Sequence, residues 1–318
     1  LNQVLFKPVN EFMSRPRKSF RTRAIEVGYL LAGTHSIQDS LTSDEVSLCE
    51  KAGRLLESIH SGSLIIDDIQ DNSQIRRGDR AFHLKHGVPL AINAGNWLYF
   101  WQLREVKNWG VNSSQESQIY HRVFEALHRG HIGQALDVGV PVDSIPQGAI
   151  YAMCWSSMLL KSGALVGLAF ALGGILAQAS LERVDQLEVL GQNLGIALQM
   201  FDDIGNFRPK SPCHPDFQKN YEDFILMRPT WIWAVAAETY SIEQFQNFSQ
   251  VVRSLKSPDQ FREWSAQHTL EIVARLKAKS FLEQLIQPFS EKMDSNHREK
   301  LGHQLLLQIA ERLANSYE

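Results

Sequence analysis

The segment from Ser63 to Gly78, SLIIDDIQDNSQIRRG, runs out of an apolar stretch into three carboxylates and then into paired arginines. On an α-helix, residues four apart lie about 40° apart around the axis, so Asp67 and Asp71 share a face while Asp68 points aside. Two carboxylates held this way repel, and a hard divalent cation that prefers oxygen ligands removes the penalty. Magnesium bound by only one or two acids keeps open positions that suit phosphate oxygens. Arg76 and Arg77 then offer guanidinium groups, which grip phosphates through paired hydrogen bonds. A second cluster, LQMFDDIGN from Leu198 to Asn206, again closes an apolar run and puts Asp202 and Asn206 on one face. One Asp-Asp-x-x-Asp at a helix end is usually solvated surface. Two of them, the first followed by Arg-Arg-Gly, make coincidence a poor explanation.

The elements that must carry these groups read as helices. Strict apolar/polar alternation is almost absent, whereas helical spacing recurs from about residue 24 onward, which predicts an all-α fold. Thr42-Ser43-Asp44-Glu45 forms a capping-box pattern ahead of Val46, Leu48, Leu55 and Leu56, and the helix it starts is expected to reach residue 71. Further helices are expected over residues 90–106, 147–174 and 180–204. Pro209, Pro212 and Pro215 punctuate a loop, and amphipathic helices follow from Thr230. No Gly/Ser-rich or Pro-rich linker divides the chain, so a single domain over residues 1–318 is expected.

Composition narrows the function classes. With 318 residues, 44% hydrophobic and 21% charged, the chain can bury a large core. A net charge of -3 gives no reason to expect nucleic acid as a partner. Cys49, Cys154 and Cys213 are far apart and odd in number, which fits a reduced, cytoplasmic compartment. The longest uncharged apolar stretch, residues 163–177, is shorter than the roughly 20 residues a membrane span needs and reads as a core helix. No transmembrane segment and no N-terminal signal are expected.

With these motifs in place, the chain resembles the trans-isoprenyl (polyprenyl) diphosphate synthases, over residues 15–235, and most of all the eukaryotic-type geranylgeranyl diphosphate synthases. The resemblance rests on Asp67-Asp68-Ile69-Gln70-Asp71 with Arg76-Arg77-Gly78, on Ile92-Asn93-Ala94-Gly95-Asn96, on Gly133-Gln134-Ala135-Leu136-Asp137, on Lys161-Ser162-Gly163, and on Gln199 before Asp202-Asp203-x-x-Asn206. It implies an isoprenoid synthase fold, helices around a cavity with two facing acidic motifs. It also implies a homodimer and condensation of an allylic diphosphate with isopentenyl diphosphate. Asp67, Asp71 and Asp202 would hold about three magnesium ions, and Arg76 and Lys161 the allylic diphosphate. Lys18, Arg21, Arg77 and His83 would meet isopentenyl diphosphate, with Gln199 and Arg228 as further substrate contacts. Positions one turn before the first aspartate restrict the growing tail in this family. Here they are Gly62 and Ser63, both small, which implies a product of about twenty carbons or longer.

Departures accompany the matches. Arg17-Lys18-Ser19-Phe20-Arg21-Thr22 preserves the lysine and arginine of the family's Gly-Lys-x-x-Arg-Pro but loses the flanking residues, and Arg228-Pro229-Thr230 stands for Lys-x-Thr. Arg15 and Arg23 read as a solvated face, and His60, His86 and His131 have no motif to support a role. Two other readings stay open. A class I terpene cyclase would share the architecture, although the latter half lacks an Asn-x-x-x-Ser-x-x-x-Glu metal motif and a cyclase has no need of Lys18, Arg21 and His83. A non-catalytic subunit of a synthase would tolerate the altered Arg228 region.

Overall fold

The computed structural model describes residues 1–15, 20–33, 40–208, 222–290 and 297–315. Lys18, Cys213 and the proline-punctuated loop lie outside them. Of the described residues 83% are helical, so the all-α expectation holds. The described helices are α1 (Lys7–Met13), α2 (Phe20–Leu31), α3 (Ser43–Gln70), α4 (Phe82–His86), α5 (Val88–Trp101), α6 (Ser113–Gly139), α7 (Gln147–Met158), α8 (Ala164–Leu176), α9 (Leu181–Phe207), α10 (Glu222–Ile225), α11 (Trp231–Thr239), α12 (Ile242–Ser254), α13 (Pro258–Ser265), α14 (Leu270–Ser290) and α15 (His297–Ala314). Among the described residues the sole sheet is a ribbon of β1 (Ile75–Arg76) and β2 (Asp79–Arg80), paired antiparallel with Arg76 opposite Asp79.

The expected start of α3 is borne out. Thr42 Oγ1 accepts the Glu45 N–H at 3.3 Å, and the Glu45 carboxylate accepts the Thr42 N–H at 2.8 Å. This reciprocal cap satisfies two of the donors a helix start leaves open. The helix ends at Asp71, whose N–H still bonds to Asp67 O at 2.9 Å, so the two acids stand one turn apart on one face as the spacing predicts.

Contacts divide the chain into two compact units. The first comprises Leu1–Phe124, Ala169–Glu188 and Asn296–Gly302. Its spine is α3, which buries Leu55, Leu56, Ile59 and Ile65. Around Ile65 gather Leu5, Val9 and Phe12 of the N-terminal segment, Phe82 of α4, and Ala91, Ala94 and Leu98 of α5. Arg298 clamps Glu45 through both amino groups, at 3.0 and 2.9 Å. The Gln115 amide donates to Ile175 O at 2.8 Å.

The second unit comprises Glu125–Leu168, Val189–Ser295 and His303–Glu318. Phe207, Phe224, Trp233, Phe248, Phe261 and Trp264 pack edge-to-face and stacked in its core, the offset geometries aromatic quadrupoles favour. Between α7 and α8 the helix widens into a single π turn, Leu159–Gly163. Such a turn commonly marks a functional position. A methyl group on Gly195 of α9 would sit 2.6 Å from Ser162 O, so only glycine lets α9 approach it this closely.

The run Gln147–Leu176 is, by length and composition, long and apolar enough to cross a membrane. Of its most apolar stretch 72% is buried inside the protein, which is what a core helix shows.

Candidate active site

In the first unit the acidic end of α3 separates its carboxylates by role. Asp67 and Asp71 are half-buried, whereas the Asp68 side chain is fully buried and takes Arg76 Nε at 2.7 Å. Arg76 also reaches toward Asp67, at 3.6 Å. The last turn of α3 contains no basic residue. Acids at a helix C-terminus oppose the macrodipole by about 0.3–1 kcal/mol each, a penalty a bound cation relieves. Carboxylate oxygens are the donor type that fits a hard ion such as magnesium. Among the described residues no three His, Cys, Asp or Glu side chains form a ready-made cage, so water and substrate oxygens would complete the coordination.

Arg77 occupies the first central position of the hairpin turn. Its φ is 54° and that of Gly78 is 77°, the pair of positive values a two-residue type I′ turn requires. For a residue with a β-carbon this costs about 1–2 kcal/mol. The geometry delivers Arg77 Nη2 to Glu57 Oε1 at 2.8 Å, while Arg21 Nη1 meets Glu57 Oε2 at 3.1 Å. One buried carboxylate thus divides itself between two guanidinium groups brought from different elements. Arg77 Nη1 is buried with no hydrogen-bond acceptor. An orphan charged donor of this kind is expensive unless an anion meets it.

His60 stands beside this pair. Burial, then the charges of Arg21, Arg77 and Arg76, hold its imidazole well below the usual histidine value, so it is neutral near pH 7. His83 is 7% exposed, and neither ring nitrogen has a hydrogen-bond partner. Tyr99 of α5 packs near Gly62 of α3, its phenol pushed up to about 12 by burial and by the Asp67 charge.

Two expectations are corrected here. Gly62 does not face an open floor: a methyl group there would lie 2.6 Å from Gly95 O and 3.1 Å from Leu98 Cβ, so the space belongs to the α3–α5 contact. Ser63, half-buried, donates its hydroxyl to His60 O at 2.8 Å. Arg15 is not a solvated residue, since it is 8% exposed and ion-paired to Asp79 at 3.1 Å. His60, which no motif singles out, lies seven residues before Asp67 and within about 20° of that acid around the helix.

In the second unit Lys161, on the π turn, pairs with the Asp137 carboxylate. Arg228 Nη1 donates to the Asp137 carbonyl at 3.0 Å. Two cations therefore gather on one residue of α6. Gln199, expected at the substrate, has both ends of its amide engaged within the protein: Ser162 Oγ donates to its oxygen, and its nitrogen donates to Asp203 Oδ1 at 2.7 Å. Asp203 Oδ2 in turn accepts the Trp231 N–H at 2.7 Å, capping α11 in place of Thr230, whose hydroxyl makes no cap. Asp203 is 4% exposed, while Asp202 and Asn206 are half-buried. Glu57, Tyr99 and Asp203 were not singled out by the sequence. For Asp203 the signal is weak, because a doubled aspartate does not announce which carboxylate turns inward.

The family model for polyprenyl synthetase matches residues 2–267. The chain belongs to the polyprenyl synthetase family. It is 25% identical to the geranylgeranyl pyrophosphate synthase of Dictyostelium discoideum, an alignment covering 98% of this chain and 93% of that protein. It is 30% identical to geranylgeranyl pyrophosphate synthase 2 of Zymoseptoria tritici (strain CBS 115943 / IPO323) over 64% of this chain and 56% of that one. Against the nonaprenyl diphosphate synthase of Mycobacterium tuberculosis (strain ATCC 25618 / H37Rv) the figure is 34%, over 48% of this chain and 43% of the relative. These last two alignments span about half of the relatives' own length. The geranylgeranyl pyrophosphate synthetase from Pyrococcus horikoshii Ot3 shares the fold at a TM-score of 0.77 and 21% identity, covering 98% of this chain and 90% of that one.

Proposed function

We propose that this member of the polyprenyl synthetase family is a magnesium-dependent prenyltransferase that condenses an allylic diphosphate with isopentenyl diphosphate, giving an all-E prenyl diphosphate of twenty carbons or longer. The observation that carries it lies on α3: Asp67 and Asp71 presented on one face at its end, and Arg21 and Arg77 shared by Glu57 about three turns earlier on the same helix. The metal carboxylates are Asp67, Asp71 and Asp202. Magnesium supplies neutralisation of the diphosphate as negative charge builds on it.

The chain's own residues do the rest. Arg76, Lys161 and Arg228 hold the allylic diphosphate, and Lys18, Arg21, Arg77, His60 and His83 take isopentenyl diphosphate. Arg76, Lys161 and Arg228 stabilise the charge that accumulates as the allylic C–O bond breaks and pyrophosphate leaves with the electron pair. The isopentenyl double bond attacks the allylic carbon, and the adduct gives up a proton to a basic oxygen of the departed pyrophosphate. His60, kept neutral among the arginines, accepts or donates a hydrogen bond without adding a fourth positive charge. Tyr99, next to Asp67, is the side chain that limits the tail. Val88, Ile92 and Phe100 of α5, with Tyr120 and Phe124 of α6, are exposed, and this apolar surface supports a homodimer.

The test is a product assay on the purified chain with magnesium, using dimethylallyl, geranyl and farnesyl diphosphate in turn, each with and without isopentenyl diphosphate. Elongated diphosphates that require isopentenyl diphosphate support the proposal. Hydrocarbon formed from the allylic substrate alone would assign a cyclase, and turnover that appears only with an added synthase would assign a subunit.

A further inference from the structure

Three contacts fasten the N-terminal segment to the hairpin that presents Arg76 and Arg77. Arg15 Nη1 donates to the carbonyls on both sides of the turn, Arg76 O at 2.9 Å and Arg80 O at 3.2 Å, and Nη2 pairs with Asp79 at 3.1 Å. Lys85 bridges Glu11 of α1 and Asp79. The Phe12 ring lies under two guanidinium groups, Arg15 at 5.0 Å and Arg77 at 5.6 Å from its centre, and packs edge-on against Phe82 at 5.9 Å.

The hairpin cannot hold itself. Its strands are two residues each, far below what an isolated ribbon needs, and its turn places Arg77 in a left-handed conformation that a side chain disfavours. Arg77 nevertheless has to arrive beside Glu57 with its second amino group unspent. Something outside the ribbon must fix the backbone, and Arg15 is the side chain that bonds to both of its strands. Its stacking on the same ring as Arg77 sets the two guanidinium planes against a common surface.

We infer that Arg15 is a positioning residue: it locks the β1–β2 hairpin in the conformation that brings Arg77 to Glu57, and through Arg77 it sets the affinity for isopentenyl diphosphate. This rests on the assignment of Arg77 to that substrate. A planar guanidinium can span two carbonyls and a carboxylate at once, whereas a lysine ammonium on the same stem cannot keep that fork.

The experiment compares wild type with Arg15→Gln, Arg15→Lys and Arg77→Ala in steady-state kinetics for each substrate, with hydrogen exchange of the free protein over residues 74–81. For Arg15→Gln the KM for isopentenyl diphosphate should rise roughly tenfold, the scale of one lost charge-assisted hydrogen bond. The allylic KM and kcat should stay within about twofold. Exchange across 74–81 should accelerate while that of α3 is unchanged. Arg15→Lys, which keeps the charge beside Asp79 and folds under milder strain, should fall between. Unchanged hairpin exchange in Arg15→Gln overturns the role. So does a uniform loss in kcat and both KM values with exchange rising everywhere, which is what a merely structural residue produces. If Arg77→Ala itself leaves the isopentenyl KM unmoved, the substrate assignment falls and the Arg15 inference with it. If Arg77→Ala raises that KM and Arg15→Gln does not, only the Arg15 inference falls.

Discussion

Replacing Gly62 by alanine should destabilise the protein, against the rule that Gly→Ala in a helix interior gains about 1 kcal/mol. The added carbon would stand 2.6 Å from Gly95 O and 3.1 Å from Leu98 Cβ. A carbon and a carbonyl oxygen need about 3.3 Å, so α3 and α5 must part by roughly 0.7 Å at their closest approach. The opposing atom is backbone, which cannot rotate away. Overpacking of this kind costs about 1–3 kcal/mol, and a gap of 0.5–1 Å forfeits a quarter to a half of the dispersion energy along the opened seam. Repulsion and lost contact exceed the propensity gain, leaving a net loss of about 2 kcal/mol. Gly95→Ala is the internal control. Its new carbon would meet Ile66 Cδ1 at 2.8 Å and Cγ1 at 2.9 Å, in a half-buried side chain that can change rotamer for about 1 kcal/mol, and its backbone neighbour, Gly62 O at 3.2 Å, is only about 0.1 Å too close, so the two effects should nearly cancel. Urea unfolding followed by tryptophan fluorescence resolves the difference. With a slope of about 3 kcal/mol/M, Gly62→Ala moves the midpoint down by roughly 0.7 M and Gly95→Ala hardly at all. A Gly62→Ala protein as stable as wild type, or a Gly95→Ala protein that is the weaker of the two, would refute the packing role.

The acids at the end of α3 should behave in the opposite sense. Asp67→Asn or Asp71→Asn should cut kcat by about 100-fold or more at fixed magnesium, roughly 2.7 kcal/mol of barrier, while stability holds or rises by a few tenths because an unfavourable helix-end charge is gone; isothermal magnesium binding and thermal melts check both. His60 should impose an acid limit. Its folded pKa lies below the unfolded value, so its contribution to stability is present above about pH 6.5 and is lost as pH falls toward the folded pKa, with a slope of up to about 1.4 kcal/mol per pH unit. His60→Gln should flatten that slope in denaturation midpoints measured between pH 7 and 4. Tyr99→Ala, which empties the space beside Asp67, should shift products upward by at least one isoprene unit on thin-layer or mass analysis of the chains. An unchanged distribution would remove Tyr99 as the limit of the tail.

Much of this was legible in the sequence, and the reasons differ from residue to residue. The start of α3 could be read because a capping box is a local device, with Thr42 and Glu45 satisfying each other. The shared face of Asp67 and Asp71 followed from helix geometry alone. Gly62 could not be placed the same way, since periodicity says which residues share a face but not which neighbour that face meets. The hairpin escaped notice because two-residue strands are too short for alternation to register. Arg15 and Arg23 look alike in a basic run, yet Arg23 is half-exposed and pairs locally with Glu26 at 3.6 Å, whereas Arg15 is buried by contacts up to 65 residues away. Burial of that kind is a property of tertiary packing and leaves no trace in local spacing.

The two acidic motifs divide labour in the same way, each within its own unit. The first aspartate of each pair, Asp67 and Asp202, is half-buried, and the second, Asp68 and Asp203, is turned inward. A step of 100° around a helix produces this split automatically. What the inward carboxylates hold is informative: Asp68 fixes Arg76, and Asp203 caps the helix that begins just after Arg228. The inward acid of each pair is thus engaged in holding its own unit, Asp68 through Arg76 and Asp203 through the start of α11, and the proposed function leaves the ion to the outward one. Asp68→Asn should accordingly cost stability first, about 1–3 kcal/mol because the half-buried Arg76 guanidinium loses its nearer carboxylate and keeps only Asp67 at 3.6 Å, with activity falling in proportion to the folded fraction and to the mobility of Arg76. Asp203→Ala should cost about 1–2 kcal/mol, the worth of a helix cap, and loosen the amides of α11 in hydrogen exchange. If Asp68→Asn and Asp203→Ala instead abolish turnover at full stability, as Asp67→Asn is expected to do, the inward acids are metal ligands as well and the division of labour is wrong.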